Sequence, residues 1–66
     1  MHGFGERLYR ARKRKEVTQA WVAARLPVHR TTYTKYETGQ VEPPLENLCR
    51  LADLLDCSVA ELLGKE

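Results

Sequence analysis

Apolar residues recur at spacings of three and four in five stretches of this chain, separated by turn-forming or proline-containing segments, and that pattern predicts helices throughout. The first runs over residues 4–15, with Phe4, Leu8 and Ala11 inward and Tyr9 or Arg12 beside them. Thr18 is placed to cap a second helix over 19–26, its hydroxyl accepting from a first-turn amide, with Val17 and Val22 spaced as a hydrophobic staple. Val22, Ala23 and Leu26 share one face. Pro27 is expected to end this helix by moving Leu26 out of the helical region and by lacking an amide donor. A third helix over 30–37 turns Tyr33, Tyr36 and Thr32 inward and closes at Gly39.

After the loop TGQVEPP, Pro43 or Pro44 starts a fourth helix over 44–55. Its inward stripe is Leu45, Leu48, Leu51, Ala52 and Leu55, with Glu46, Arg50 and Asp53 outside. Leu54 lies off the stripe, on the surface or against a partner. Ser58 and Glu61 form a capping box for the last helix, 59–63, whose apolar residues are Val59, Leu62 and Leu63 and whose stop is Gly64. Five short helices with brief connections define an all-α, compact five-helix fold, and the 66 residues suffice for a single domain, 1–66. A chain of this size buries only about 60% of its unfolded surface, so its net stability is modest.

Charge changes the picture more than composition does. The net charge is only +2, but residues 1–36 carry nine Lys or Arg against Glu6 and Glu16, or +7, while residues 37–66 carry Arg50 and Lys65 against seven acids, or −5. Such a dipole favours approach to a polyanion through the first half. Lys13, Arg14 and Lys15 complement the dipole at the end of the first helix and are also suited to phosphate. The outer face of the third helix presents Arg30, Thr31, Thr34 and Lys35, hydrogen-bonding groups framed by cations, which suits base edges and phosphates; the alternative is an ordinary solvated face.

Other chemistry is absent. Cys49 and Cys57 have no metal-site spacing with His2 and His29, and they read as small buried hydrophobes of a reducing compartment rather than as a redox pair. Neither histidine has a nucleophile or carboxylate nearby in sequence, so no catalytic constellation, metal, cofactor or small-molecule ligand is expected. No apolar run approaches the roughly 20 residues of a membrane span, and MHGFGERLYR lacks the apolar region of a signal peptide. The expected location is the cytoplasm.

The motifs GERLYRARK, V-TQ-x-x-VA-x-x-L-x-V, TKYE-x-G and EPPLENLCRLADLLDCSVAELL, with their spacings, resemble the Cro and phage-repressor type of helix-turn-helix domain, the lambda-repressor-like, XRE-like family of bacterial and phage transcription regulators. The resemblance covers 4–63. It implies that the helix after Pro27 enters the major groove of double-stranded DNA, with Arg30, Thr31 and Lys35 at base-reading positions and Thr34 nearby. It also implies phosphate contacts from Gln19, through its side chain and the helix start, and from His29 at the cap and Thr38. Arg14, in the cationic end of the first helix, is added to these backbone contacts. Arg12 and Glu37 match a partly buried ion pair that ties the first helix to the third.

The chain departs from the pattern in Pro27 and Glu16, where glycines are usual, in Gln40 and Glu42, where bases are frequent, and in Trp21, which replaces a charged residue and either marks a partner surface or folds over a neighbouring helix. The implied function is a sequence-specific, repressor-like homodimer on a palindromic operator. Leu54, Leu62 and Leu63 are candidate dimer residues, since the last helix has more apolar surface than one face needs; core packing is an equal alternative for them. The competing class is a protein-interaction module, antitoxin-like or coactivator-like, that keeps the fold without specific DNA binding. Arg30 and Lys35 argue against it.

Overall fold

A computed structural model describes residues 3–65. His2 lies outside the described residues. Five helices, α1 (Phe4–Lys15), α2 (Gln19–Arg25), α3 (Arg30–Thr38), α4 (Leu45–Leu54) and α5 (Val59–Leu63), follow in order without a strand among the described residues. α1 packs on α3 and α5, α2 on α3 and α4, and α4 on α5. Leu8, Val22, Leu26, Tyr33, Leu51, Leu55 and Leu62 meet at the centre, essentially without solvent contact. Each aliphatic side chain buried in this way contributes roughly 1.5–3 kcal/mol, so the small core is what holds the helices together.

Local signals account for most helix ends. Thr18 Oγ1 accepts from the Trp21 amide at 3.0 Å and Ser58 Oγ from the Glu61 amide at 2.9 Å. Gly39 and Gly64 stop α3 and α5 at φ 82° and 73°, a region open to glycine because it has no Cβ. Glu16 takes the same left-handed conformation after α1, at φ 63°. Gly5 answers a different need. It is buried where α1 crosses the end of α3, and a methyl group there would come within 2.3 Å of the Glu37 carbonyl oxygen. Only the absence of a side chain lets the two helices meet so closely.

Several expectations are corrected. Leu26 does not leave the helical region: it sits at φ −66° and ψ −35°, its amide bonded to Val22 O at 2.9 Å and its side chain fully buried, and the following peptide to Pro27 is cis. Leu45 is 71% exposed, because the first turn of α4 overhangs the core and Pro43 is buried beside it instead. Tyr9 is exposed while Arg12 is buried, which resolves the inward side of α1. Cys49 is exposed and Cys57 half-buried, rather than the buried pair expected, and they form no disulfide with each other. Trp21 is partly buried against the core, with the Arg25 guanidinium 3.9 Å from its ring centre. No helix among the described residues is long and apolar enough to cross a membrane.

Candidate nucleic-acid interface

α3 has two unlike sides. Tyr33 and Tyr36 are buried, their rings packed edge to face at 6.2 Å, and they fix the helix to the core. At spacings of three and four on the other side, Arg30, Thr31, Lys35 and Thr38 are exposed and Thr34 is half-buried. Arg30 and Lys35 make no ion pair among the described residues. The structure therefore brings the predicted reading residues onto one face. His29 occupies the N-cap of α3, exposed and without a side-chain capping bond. Thr38 Oγ1 donates to the Lys35 carbonyl at 3.3 Å.

The end of α3 is clamped by Glu37. Arg12 Nε donates to Glu37 Oε2 at 2.6 Å and Nη2 to Oε1 at 3.3 Å, with the two side chains only 10% and 5% exposed. Arg12 Nη1 also bonds to Val17 O at 2.9 Å, which ties the α1–α2 connection to the same pair. The carboxylate further accepts from Tyr33 Oη and from Gln19 Nε2, the latter at 3.0 Å. Gln19 Oε1 in turn accepts from Thr34 Oγ1 at 3.0 Å. Burial pushes the Glu37 carboxyl up, but the bonds from Arg12, Tyr33 and Gln19 together outweigh it and hold the group below the usual carboxylate range. The bond to Glu37 holds the Arg12 guanidinium above its ordinary value, against the effect of burial. Burial, then the neighbouring carboxylate, raises the Tyr33 phenol far above its ordinary value, so it stays a donor.

This network reaches further than the ion pair read from the sequence. The Tyr33 bond had a signal in the four-residue spacing from Glu37, whereas the bridge from Thr34 through Gln19 had none, because it crosses from α3 to α2. It sets Gln19 at the meeting of two shallow clefts. One lies between the start of α1 and the end of α3 and includes Tyr9, Thr38 and Gly39. The other lies between the end of α1 and the starts of α2 and α3 and includes Lys13, Thr18 and Arg30.

Two sequence assignments do not fit this geometry. Arg14 is turned away from the α3 face, its Nη2 bonded to Glu61 Oε2 of α5 at 2.8 Å, because one residue along a helix rotates a side chain by about 100°. Leu62 is 1% exposed in the core and is not available to a partner. Leu54 and Leu63 are partly buried against that core.

A family model for the helix-turn-helix domain matches residues 4–63. The cryptic phage CTXphi transcriptional repressor RstR of Vibrio cholerae is 43% identical over 60 residues, covering 91% of this chain and 54% of that protein. The HTH-type transcriptional regulator AnsR of Bacillus subtilis is 43% identical over 61 residues, 92% of this chain and 53% of its own length. The chain thus spans about half the length of these relatives. Among solved structures, the P22 c2 repressor in complex with synthetic operator 9T superposes with a TM-score of 0.87 at 32% identity, over 96% of both chains. The chain belongs to the helix-turn-helix family, in its Cro and phage-repressor branch.

Proposed function

We propose that this chain is a sequence-specific double-stranded DNA-binding transcriptional regulator, repressor-like, acting in the cytoplasm of a bacterium, and that α3 is its reading helix. The observation that carries the reading is the outer face of α3. Arg30, Thr31 and Lys35 project from a helix whose opposite side is buried and whose end is clamped by Glu37, so they stand in a fixed array whose cations make no ion pair among the described residues. Arginine and lysine bind guanine O6 and N7, and threonine serves either donor or acceptor edges, so such an array distinguishes base pairs in the major groove. Gln19, His29 and Thr38 surround it as backbone contacts, and Thr34 braces Gln19 while lying at its edge. The relatives named as phage repressor and transcriptional regulator support the same class of function.

One helix reads few base pairs, and two copies on half-sites roughly 34 Å apart supply the missing specificity on a palindromic operator. Leu54 and Leu63 are the remaining apolar candidates for that pairing. Selection of bound sites from random duplexes tests the proposal. A two-fold symmetric consensus is expected, and Lys35→Ala should relax preference at one position per half-site, by about 1–3 kcal/mol against the selected base. Recovery of no enriched sequence, or binding indifferent to salt, would overturn the reading in favour of a protein-interaction module.

A further inference from the structure

α3 starts without the local fastening that α2 and α5 have. Thr18 and Ser58 cap those helices with a side-chain oxygen, whereas His29 makes no side-chain bond at the start of α3. Arg30 and Thr31, proposed above to read bases, lie in that first turn, at the opposite end of α3 from the clamp on Glu37. Their aim therefore depends on the corner between α2 and α3, residues 26–29. This corner lacks one of its usual bonds. The last carbonyls of a helix have no donor within it, and the residue after the cap commonly closes them with its amide while in a left-handed conformation. Pro27 holds that place, with no amide hydrogen and φ confined to negative values.

A side chain from α4 supplies the missing donor. Arg50 Nη1 donates to the Leu26 carbonyl at 3.0 Å, while Nη2 donates to Glu46 Oε1, one turn earlier in α4, at 3.2 Å. Two bonds from one planar fork fix its orientation, and a cation at that place also meets the negative end of the α2 dipole. The Val28 amide bonds to Ala23 O at 2.9 Å, which folds the corner back on α2 without tying it to α4. We propose that Arg50 is a positioning residue, which acts without touching DNA by tying the corner to α4 and so setting the angle at which Arg30 and Thr31 are presented. The inference rests on the DNA-binding reading above. Bonds to base edges weaken steeply with misalignment, whereas attraction to phosphates follows charge, so the tether governs discrimination between sequences more than overall affinity. With its side chain half exposed, Arg50 adds little to stability, unlike buried Arg12.

The test compares the wild type with Arg50→Met, which keeps the aliphatic stem and removes the donors, and Arg50→Lys, which keeps a cationic donor. Arg10→Met, which removes an exposed arginine from a similar pair with Glu6, is the control. All should melt close to the wild type. In the free proteins, the Val28 amide should exchange with solvent about tenfold faster in Arg50→Met and at the wild-type rate in the control. The ratio of affinities for the selected duplex and an unrelated one should fall about tenfold in Arg50→Met, the scale of one spoiled base contact, and recover for the most part in Arg50→Lys. Affinity for the unrelated duplex and its salt slope should match the control. An unchanged ratio or an unchanged Val28 rate would overturn the positioning role and leave the regulator reading in place. Equal weakening of both duplexes, with a slope lower by about one, would make Arg50 a phosphate contact and overturn it as well. A wild type that does not discriminate between duplexes sinks the regulator reading and this inference together.

Discussion

Glu37 decides how firmly the outer face of α3 is held. Its carboxylate receives Arg12, Tyr33 and Gln19, so deleting it leaves a buried guanidinium and two buried polar groups short of a partner. Breaking a buried pair in this way costs about 3–5 kcal/mol, against the few tenths expected for an exposed acid such as Asp53. In a domain of this size each kcal/mol moves the melting temperature by about 4–8 °C. Glu37→Ala is therefore expected to lower it by more than about 12 °C at pH 7, and a shift no larger than that of Asp53→Ala would contradict the role assigned to the pair. The pH dependence follows from the sign of the shift. A carboxyl whose folded pKa is depressed contributes stability that is fully present above its unfolded value, about 4.3, and is lost as the pH falls through the folded one. The melting difference between wild type and Glu37→Gln should shrink on titration from pH 5 to pH 2, followed by circular dichroism.

At the scale of elements, what was legible in the sequence was what is encoded locally. Thr18 and Ser58 announce α2 and α5 because a cap acts within one turn, and Gly39 and Gly64 mark stops for the same reason. Leu45 was misjudged because helical spacing says which residues share a face but not where the core beneath them ends. Leu62 was left open between core and pairing surface because a five-residue helix has too few positions to separate its inner face from its outer one, and packing places it in the core. The bond from Arg14 to Glu61 was not legible, because Glu61 lies 47 positions away and is brought close only by the packing of α5 on α1. The outward direction of Arg30, Thr31 and Lys35 on α3 was legible because buried Tyr33 and Tyr36 fix the opposite side. The α1–α2 junction shows a local rule broken at a cost. A left-handed non-glycine residue loses roughly 1–2 kcal/mol, and the extra chain freedom of glycine returns roughly 0.5–1 of that. Glu16→Gly is thus expected to raise stability by about 0.5–1 kcal/mol, measured by denaturant titration, and a loss of stability would show that Glu16 makes a compensating contact.

Across the whole molecule, folding converts a division of charge along the sequence into one in space. Of the cations in the first half, Arg10, Arg12, Arg14 and Lys15 are matched to acids, and Arg25 lies over Trp21. Lys13, Arg30 and Lys35 are left without ion pairs among the described residues, on the side formed by the end of α1 and the outer face of α3. A small net charge of +2 thereby leaves its uncommitted cations on one side, an arrangement suited to approach towards a polyanion. The central claim, that α3 is the surface that meets DNA, is tested most directly by titrating a selected duplex into the isotope-labelled protein and following backbone amide shifts residue by residue. The account predicts that the largest changes fall on residues 30–35 and 13–19, with α5 nearly silent; changes centred on α4 and α5 with residues 30–35 unmoved would contradict it.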